Sequence, residues 1–116
     1  MQEAQRILVI EDDEAVRLVL KAILEDAGYL VEVSGKCGEA LGIIQRGGID
    51  LVISDVLLPG GGIETIIAQI PVPMILTSGA PLQIESPPSQ FPFIAKPFRR
   101  TELLSAVESI IGRFRE

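Results

Sequence analysis

The chain alternates short, uninterrupted apolar segments with longer stretches in which apolar residues recur every three or four positions. The short segments are Ile7–Ile10, Leu30–Val33 (interrupted by Glu32), Leu51–Ile53, Met74–Leu76 and Phe93–Ala95. Strands that are apolar on both faces are typical of a parallel sheet covered by helices on both sides. The pattern therefore predicts five buried, parallel strands.

Four stretches with helical periodicity follow the first, second, third and fifth apolar segments. Their apolar positions are Val16, Val19, Leu20, Ile23, Leu24 and Ala27; then Ala40, Leu41 and Ile44; then Ile63, Ile66, Ile67 and Ile70; and finally Leu103, Leu104, Val107 and Ile111. Asp13 and Thr101 are placed to cap the first and last helices, and Gly28 and Gly47-Gly48 to end the first two. The resulting order predicts an open, doubly wound α/β sheet in one domain.

The segment between the fourth and fifth strands breaks this alternation. Residues 79–90 contain three prolines and almost no helical periodicity. Because proline interrupts helices, the segment predicts no more than a short turn around Leu82–Glu85.

Composition excludes several classes of function. A net charge of −6 is unlike that of proteins that bind nucleic acid through their bulk surface. The absence of histidine excludes Ser–His–Asp catalysis and His-ligated zinc. Cys37 is the only cysteine, and no signal peptide or apolar stretch of about 20 residues is present, so we expect a cytoplasmic protein.

Polar residues follow four of the five predicted strands. Glu11-Asp12 follow the first, Ser54-Asp55 the third, Thr77-Ser78 the fourth and Lys96-Pro97 the fifth. Ligands of open α/β sheets bind beyond the carboxyl ends of the strands. We therefore expect three carboxylates, a hydroxyl and an ammonium group to meet at one edge of the sheet.

This grouping predicts phosphoryl chemistry at a metal site. Neighbouring carboxylates repel one another, and a hard cation with only oxygen ligands, such as Mg²⁺, offsets the repulsion. The cation would also neutralise a phosphoryl group at Asp55, while Lys96 paired with a phosphoryl oxygen. Each acid alone is more typical of a helix cap or a turn than of a metal or phosphoryl site. Only their joint placement indicates a site.

Four segments in this order resemble the receiver domain of two-component response regulators: ILVIEDDE (7–14), DLVISDVLLPGG (50–61), MILTSG (74–79) and FIAKPF (93–98). The resemblance implies a flavodoxin-like fold with strand order 2-1-3-4-5, forming a single receiver domain over residues 1–116 with no output domain. It implies Mg²⁺-dependent phosphorylation by a histidine kinase or histidine phosphotransfer protein. The signal then passes to a downstream protein by a conformational shift. We expect a monomer or weak homodimer that binds neither nucleic acid nor membrane directly and turns over no external substrate.

The resemblance also implies a role for individual residues. Asp55 matches the phosphoacceptor, Glu11 and Asp12 the metal-binding acidic pair, Lys96 the lysine before a proline, Phe93 the aromatic switch residue, and Leu57 the residue whose main-chain carbonyl ligates the metal. Counting five residues from Pro73 selects Ser78 as the site hydroxyl, and a register slip of one residue selects Thr77.

The chain departs from the family pattern between the third and fifth strands. The intervals from Asp55 to Ser78 and from Ser78 to Lys96 are shorter than usual, which predicts a short third helix and a degraded fourth helix. With the fourth helix degraded, the alternative to a switch role for Phe93 is that of an ordinary core residue. The main rival function is a degenerate receiver that acts as a phosphorylation-independent interaction module. An aspartyl-phosphate phosphatase is disfavoured, because such enzymes carry a second aspartate where this chain has Leu57.

Overall fold

The computed structural model describes residues 4–55, 72–79 and 92–114. All five predicted strands are present: β1 Arg6–Ile10, β2 Leu30–Ser34, β3 Leu51–Asp55, β4 Met74–Ser78 and β5 Phe93–Ala95. The described residues include three helices: α1 Glu14–Asp26, α2 Cys37–Gln45 and a C-terminal helix, Arg100–Phe114. The short third helix and the degraded fourth helix were predicted for segments outside the described residues.

The strands form one sheet in which all neighbours run parallel, in the order β2-β1-β3-β4-β5. This confirms the predicted flavodoxin-like, doubly wound sheet. Asp55 at the end of β3 lies opposite Thr77 of β4, and Ser78 lies opposite Ala95 of β5. Because the strands are parallel, their carboxyl ends form one edge, hereafter the carboxyl edge.

Alternating strand residues build a separate core on each face of the sheet. On one face, Ile7, Val9 and Ile53 pack with α1 and the C-terminal helix. On the other, Leu8 and Ile10 pack with the helix α2. Successive side chains of a strand point to opposite faces. Helices can therefore pack on both faces of the sheet only where a strand is apolar on both sides.

Most predicted helix ends are those observed. Asp13 caps α1, where its Oδ1 accepts hydrogen bonds from the backbone N–H groups of Ala15 (2.9 Å) and Val16 (3.3 Å). Gly28 follows α1 with a φ of 101°, a left-handed conformation that favours glycine.

The prediction that Thr101 caps the last helix was wrong, and the apolar stripe of α1 is not buried along its whole length. Thr101 does not cap the last helix, which begins at Arg100; instead the Glu102 carboxylate accepts a hydrogen bond from the Arg99 N–H, the contact that glutamate makes in a capping box. Val19 is not in the core but is 57% exposed. Around the helix, Val19 lies about 100° from Leu20 and about 140° from Leu24, the two buried residues, and is therefore at the margin of the buried face. Ala27, the C-cap of α1, is also exposed.

Candidate functional site

The structure brings the three predicted carboxylates together at the carboxyl edge. Glu11 directly follows β1 and is 1% exposed, Asp55 ends β3 and is 8% exposed, and Asp12 is exposed. One carboxylate oxygen of each residue lies within 4.8 Å of those of the other two. The three acids thus form a cluster of oxygen donors that could hold a cation.

Lys96 connects two of these acids. Its ammonium Nζ donates hydrogen bonds to Glu11 Oε2 at 2.5 Å and to Asp55 Oδ2 at 2.9 Å. Its backbone N–H donates to the Ser78 carbonyl at 2.8 Å, which holds the lysine beside the end of β4. The lysine is therefore a counter-charge to Glu11 and Asp55.

Burial and charge act in opposite directions at this contact. Burial raises the pKa of Glu11, although hydrogen bonds from Lys96 and the Asp13 N–H lower it in part, while the charge of Asp55 raises it further. Burial by itself lowers the pKa of Lys96, but hydrogen bonds to Glu11 and Asp55 outweigh this effect and raise the pKa. The lysine is therefore a permanent cation at neutral pH.

The backbone around Glu11 is well anchored. Its N–H extends the β1–β2 ladder by donating to the Ser34 carbonyl at 2.9 Å. Its Oε1 accepts a hydrogen bond from the Asp13 N–H at 3.2 Å. The apolar β1 strand and the turn into α1 thus place the acidic pair at the edge.

The two candidate hydroxyls are both buried beside Asp55. The Thr77 hydroxyl is directed towards the Ser54 carbonyl, with the oxygen atoms 3.5 Å apart. Ser78 is the last residue of β4, one position beyond the partner of Asp55. Both residues thus lie at the carboxyl edge, within one register position of Asp55.

The sequence also predicted roles for Phe93 and Leu57. Phe93 is partly buried and packs against the core cluster that contains Leu76 and Met74, as an ordinary core residue would. Leu57 lies outside the described residues.

One contact was missed in the sequence. Arg17 of α1 donates from its Nη1 to the main-chain carbonyl of Glu11 at 2.9 Å. A single arginine among the polar positions of an amphipathic helix forms no recognisable pattern, so sequence reasoning had no signal with which to single it out.

An open apolar groove of about 470 Å³ lies beside Lys96. It runs between α1 and the loop after β5 and is lined by Ala15, Val16, Val19, Pro97 and Phe98, among others. The exposed Val19 is thus one wall of a groove next to the acidic cluster.

Within the described residues, no helix has the length and apolar character needed to cross a membrane.

Comparison with known proteins identifies the fold family. The family model of the response regulator receiver domain matches residues 7–80. The probable transcriptional regulator ycf29 of Cyanophora paradoxa is 30% identical over 118 residues, covering 92% of this chain and 56% of that protein. The transcriptional regulatory protein CpxR of Escherichia coli K12 is 31% identical over 116 residues, covering 93% of this chain and 50% of that protein. The chain thus spans about half the length of these relatives.

Solved structures show the same fold. The CheY-like response regulator receiver domain protein from Methanospirillum hungatei JF-1 superimposes with a TM-score of 0.81 at 26% identity, covering 96% of each chain. The family match extends over more than half of the sequence and includes Glu11, Asp55 and Ser78. This chain belongs to the response regulator receiver domains of two-component signal transduction systems.

Proposed function

We propose that this receiver domain accepts a phosphoryl group on Asp55 in a Mg²⁺-dependent reaction. One observation carries the proposal: the nearly buried Asp55 carboxylate lies within a cluster of three acids and is hydrogen-bonded to a lysine. A buried group of like charges with one cation is unfavourable for stability alone, which supports a chemical role.

The donor set fits Mg²⁺. Glu11, Asp12 and Asp55 offer only carboxylate oxygens, and hard divalent cations prefer such ligands. When bound, the ion supplies positive charge that neutralises the oxygens of an incoming phosphoryl group. The three acids would hold it directly.

Residues of this chain attack the phosphoryl group and bind its oxygens. A carboxylate oxygen of Asp55 attacks phosphorus, forming an acyl phosphate, while the bond to the donor atom breaks and its electron pair leaves with the donor. Lys96, already 2.9 Å from Asp55, then pairs with a phosphoryl oxygen as a point charge. A hydroxyl at the end of β4 donates a hydrogen bond to another phosphoryl oxygen.

The proposed partners follow from this chemistry. The sequence contains no histidine, so a phosphohistidine donor has to be another segment or protein, namely a histidine kinase or histidine phosphotransfer protein. The phosphorylated domain then acts on a downstream protein by shifting a conformational equilibrium. We propose no turnover of an external substrate, because Leu57 offers no second carboxylate near Asp55.

The test is intact-mass spectrometry after incubation with Mg²⁺ and acetyl phosphate or phosphoramidate. The wild type should gain about 80 Da, the mass of one phosphoryl group. Asp55→Asn should gain nothing, because the amide is not a nucleophile for phosphorus. Asp26→Asn is the matched control: it removes an exposed carboxylate that forms a surface ion pair with Arg100, and it should react like the wild type.

Two outcomes would contradict the proposal. One is an unmodified wild type with both donors and with a cognate kinase. The other is a wild type that binds no Mg²⁺ at millimolar concentration, since a receiver that acts only as an interaction module need not bind the ion.

A further inference from the structure

The ladder between β1 and β2 stops abruptly beside the acidic pair. In this parallel ladder, Glu11 donates its N–H to Ser34, so the regular continuation would have the N–H of Lys36 donate to the Glu11 carbonyl. Instead, the Lys36 N–H donates to the Ser34 hydroxyl at 3.2 Å. The Glu11 carbonyl therefore loses its ladder partner at the point where β2 turns away.

Arg17 takes the place of that partner. Its guanidinium crosses from α1 and donates to the same carbonyl oxygen at 2.9 Å. A hydrogen bond from a charged donor is shorter and stronger than one between neutral groups. The Arg17 side chain thus replaces a backbone hydrogen bond of the ladder. It holds the end of β1 in place beyond the last residue that pairs with β2.

Gly35 provides the room for this arginine. A Cβ atom at residue 35 would lie 2.8 Å from Arg17 Nη1, which is closer than real contacts allow. The Glu11 carbonyl oxygen would be at 3.7 Å, an ordinary contact distance. Gly35 has no positive φ, so its lack of a side chain is needed for space and not for its backbone conformation.

We propose that Arg17 is a positioning residue for the metal-binding acids, and that Gly35 keeps its place open. The carbonyl oxygen that Arg17 holds belongs to the peptide unit that joins Glu11 to Asp12. Fixing this oxygen fixes the orientation of the peptide between the two acids, and hence the directions in which their carboxylates leave the chain. This inference rests on the proposed function, because it assigns the arginine a role in Mg²⁺ binding.

The two residues offer a double-mutant test with different chemistry at each position. Arg17→Met removes the donor and the charge but keeps an apolar stem. Gly35→Ala keeps every charge and displaces only the guanidinium. Since both changes act on the same contact, their effects should not add.

Mg²⁺ affinity, measured by calorimetric titration, is the primary readout. Each single variant should bind Mg²⁺ about tenfold more weakly, as is usual when a contact behind a metal ligand is lost. The double variant should be no weaker than the weaker single variant. Gly38→Ala is the matched control, because a Cβ at this nearby glycine meets nothing within 4 Å, and it should bind like the wild type.

A second readout separates positioning from general damage to the fold. With a small-molecule phosphodonor, the variants should need more Mg²⁺ to reach half the maximal rate, while the rate at saturating Mg²⁺ stays close to that of the wild type. A loss of folded protein would lower the maximal rate instead.

The outcomes distinguish this inference from the proposed function. A wild type that binds no Mg²⁺ would contradict the proposed function itself. A wild type that binds Mg²⁺, with Gly35→Ala binding equally well or with additive effects in the double variant, would overturn only the positioning role of Arg17.

Discussion

At the scale of single residues, the strand register leaves two neighbouring residues, Thr77 and Ser78, as candidates for the site hydroxyl. Ser78 is five positions after Pro73, and Thr77 directs its hydroxyl towards the Ser54 carbonyl. We take Ser78 as the donor to a phosphoryl oxygen, because it ends β4 at the carboxyl edge, where the phosphoryl group would arrive.

Alanine at Ser78 should therefore slow phosphorylation of Asp55 by about ten- to hundredfold at saturating Mg²⁺, because one donor to the transferring group is lost. Thr77→Val keeps the side-chain volume and should change the rate little, while costing up to about 1 kcal/mol of stability. The comparison requires rates measured with a small-molecule donor. A slow Thr77→Val variant beside a normal Ser78→Ala variant would assign the hydroxyl to Thr77.

Lys96 is the residue that links the acids before any cation binds. Its side chain and those of Glu11 and Asp55 are all mostly buried, at 18%, 2% and 10% exposure. Removing one partner of a buried ion pair is costly, because it leaves the opposite charge uncompensated.

Lys96→Met should therefore lower the unfolding free energy of the metal-free protein by about 2–4 kcal/mol. Methionine keeps the apolar stem, so the loss reports the charge. Thermal unfolding should show the difference from wild type shrinking when Mg²⁺ is added, since the ion supplies the missing positive charge. Lys36→Met, at an exposed position, is the control. Equal melting temperatures of wild type and Lys96→Met without Mg²⁺ would contradict the role of Lys96 as counter-charge.

At the scale of secondary-structure elements, local patterns predicted what local forces determine. All five strands were located because short apolar segments, continuous in four cases and interrupted only by Glu32 in the second, have few other places in a small α/β domain. The Asp13 cap was predicted because an N-cap acts within three residues along the chain.

The misses lie where several elements act together. Thr101 has the right chemistry for a cap, but Glu102 satisfies the Arg99 N–H and the helix begins at Arg100, two residues earlier than a Thr101 cap would place it. The contact between Arg17 and Glu11 depends on where β2 leaves the sheet at Gly35. This contact depends on how α1 packs against two strands, and no local sequence pattern predicts that packing.

At the scale of the whole molecule, the carboxyl edge concentrates negative charge in a chain that already carries a net charge of −6. Three acids lie close together there, and the Lys96 ammonium group is hydrogen-bonded to only two of them, Glu11 and Asp55, so we expect repulsion to remain within the cluster. Because of this repulsion, we expect the removal of one negative charge from the site to stabilise the folded protein.

Asp55→Asn should accordingly raise the melting temperature of the metal-free protein by about 2–5 °C, which corresponds to somewhat less than 1 kcal/mol in a domain of this size. Added Mg²⁺ should stabilise the wild type more than the variant, because binding to the folded state is weaker after one ligand is lost. Scanning calorimetry with and without Mg²⁺ measures both effects. A metal-free variant that melts at or below the wild-type temperature would count against close clustering of the three carboxylates.

The central claim is that Asp55 itself carries the phosphoryl group. The most direct measurement is chemical trapping: the domain is treated with acetyl phosphate and Mg²⁺, reduced with borohydride, digested, and sequenced by mass spectrometry. Because reduction of an acyl phosphate converts aspartate to homoserine, the account predicts homoserine at position 55 and unchanged aspartate at position 12. Homoserine at another position, or at none, would contradict it.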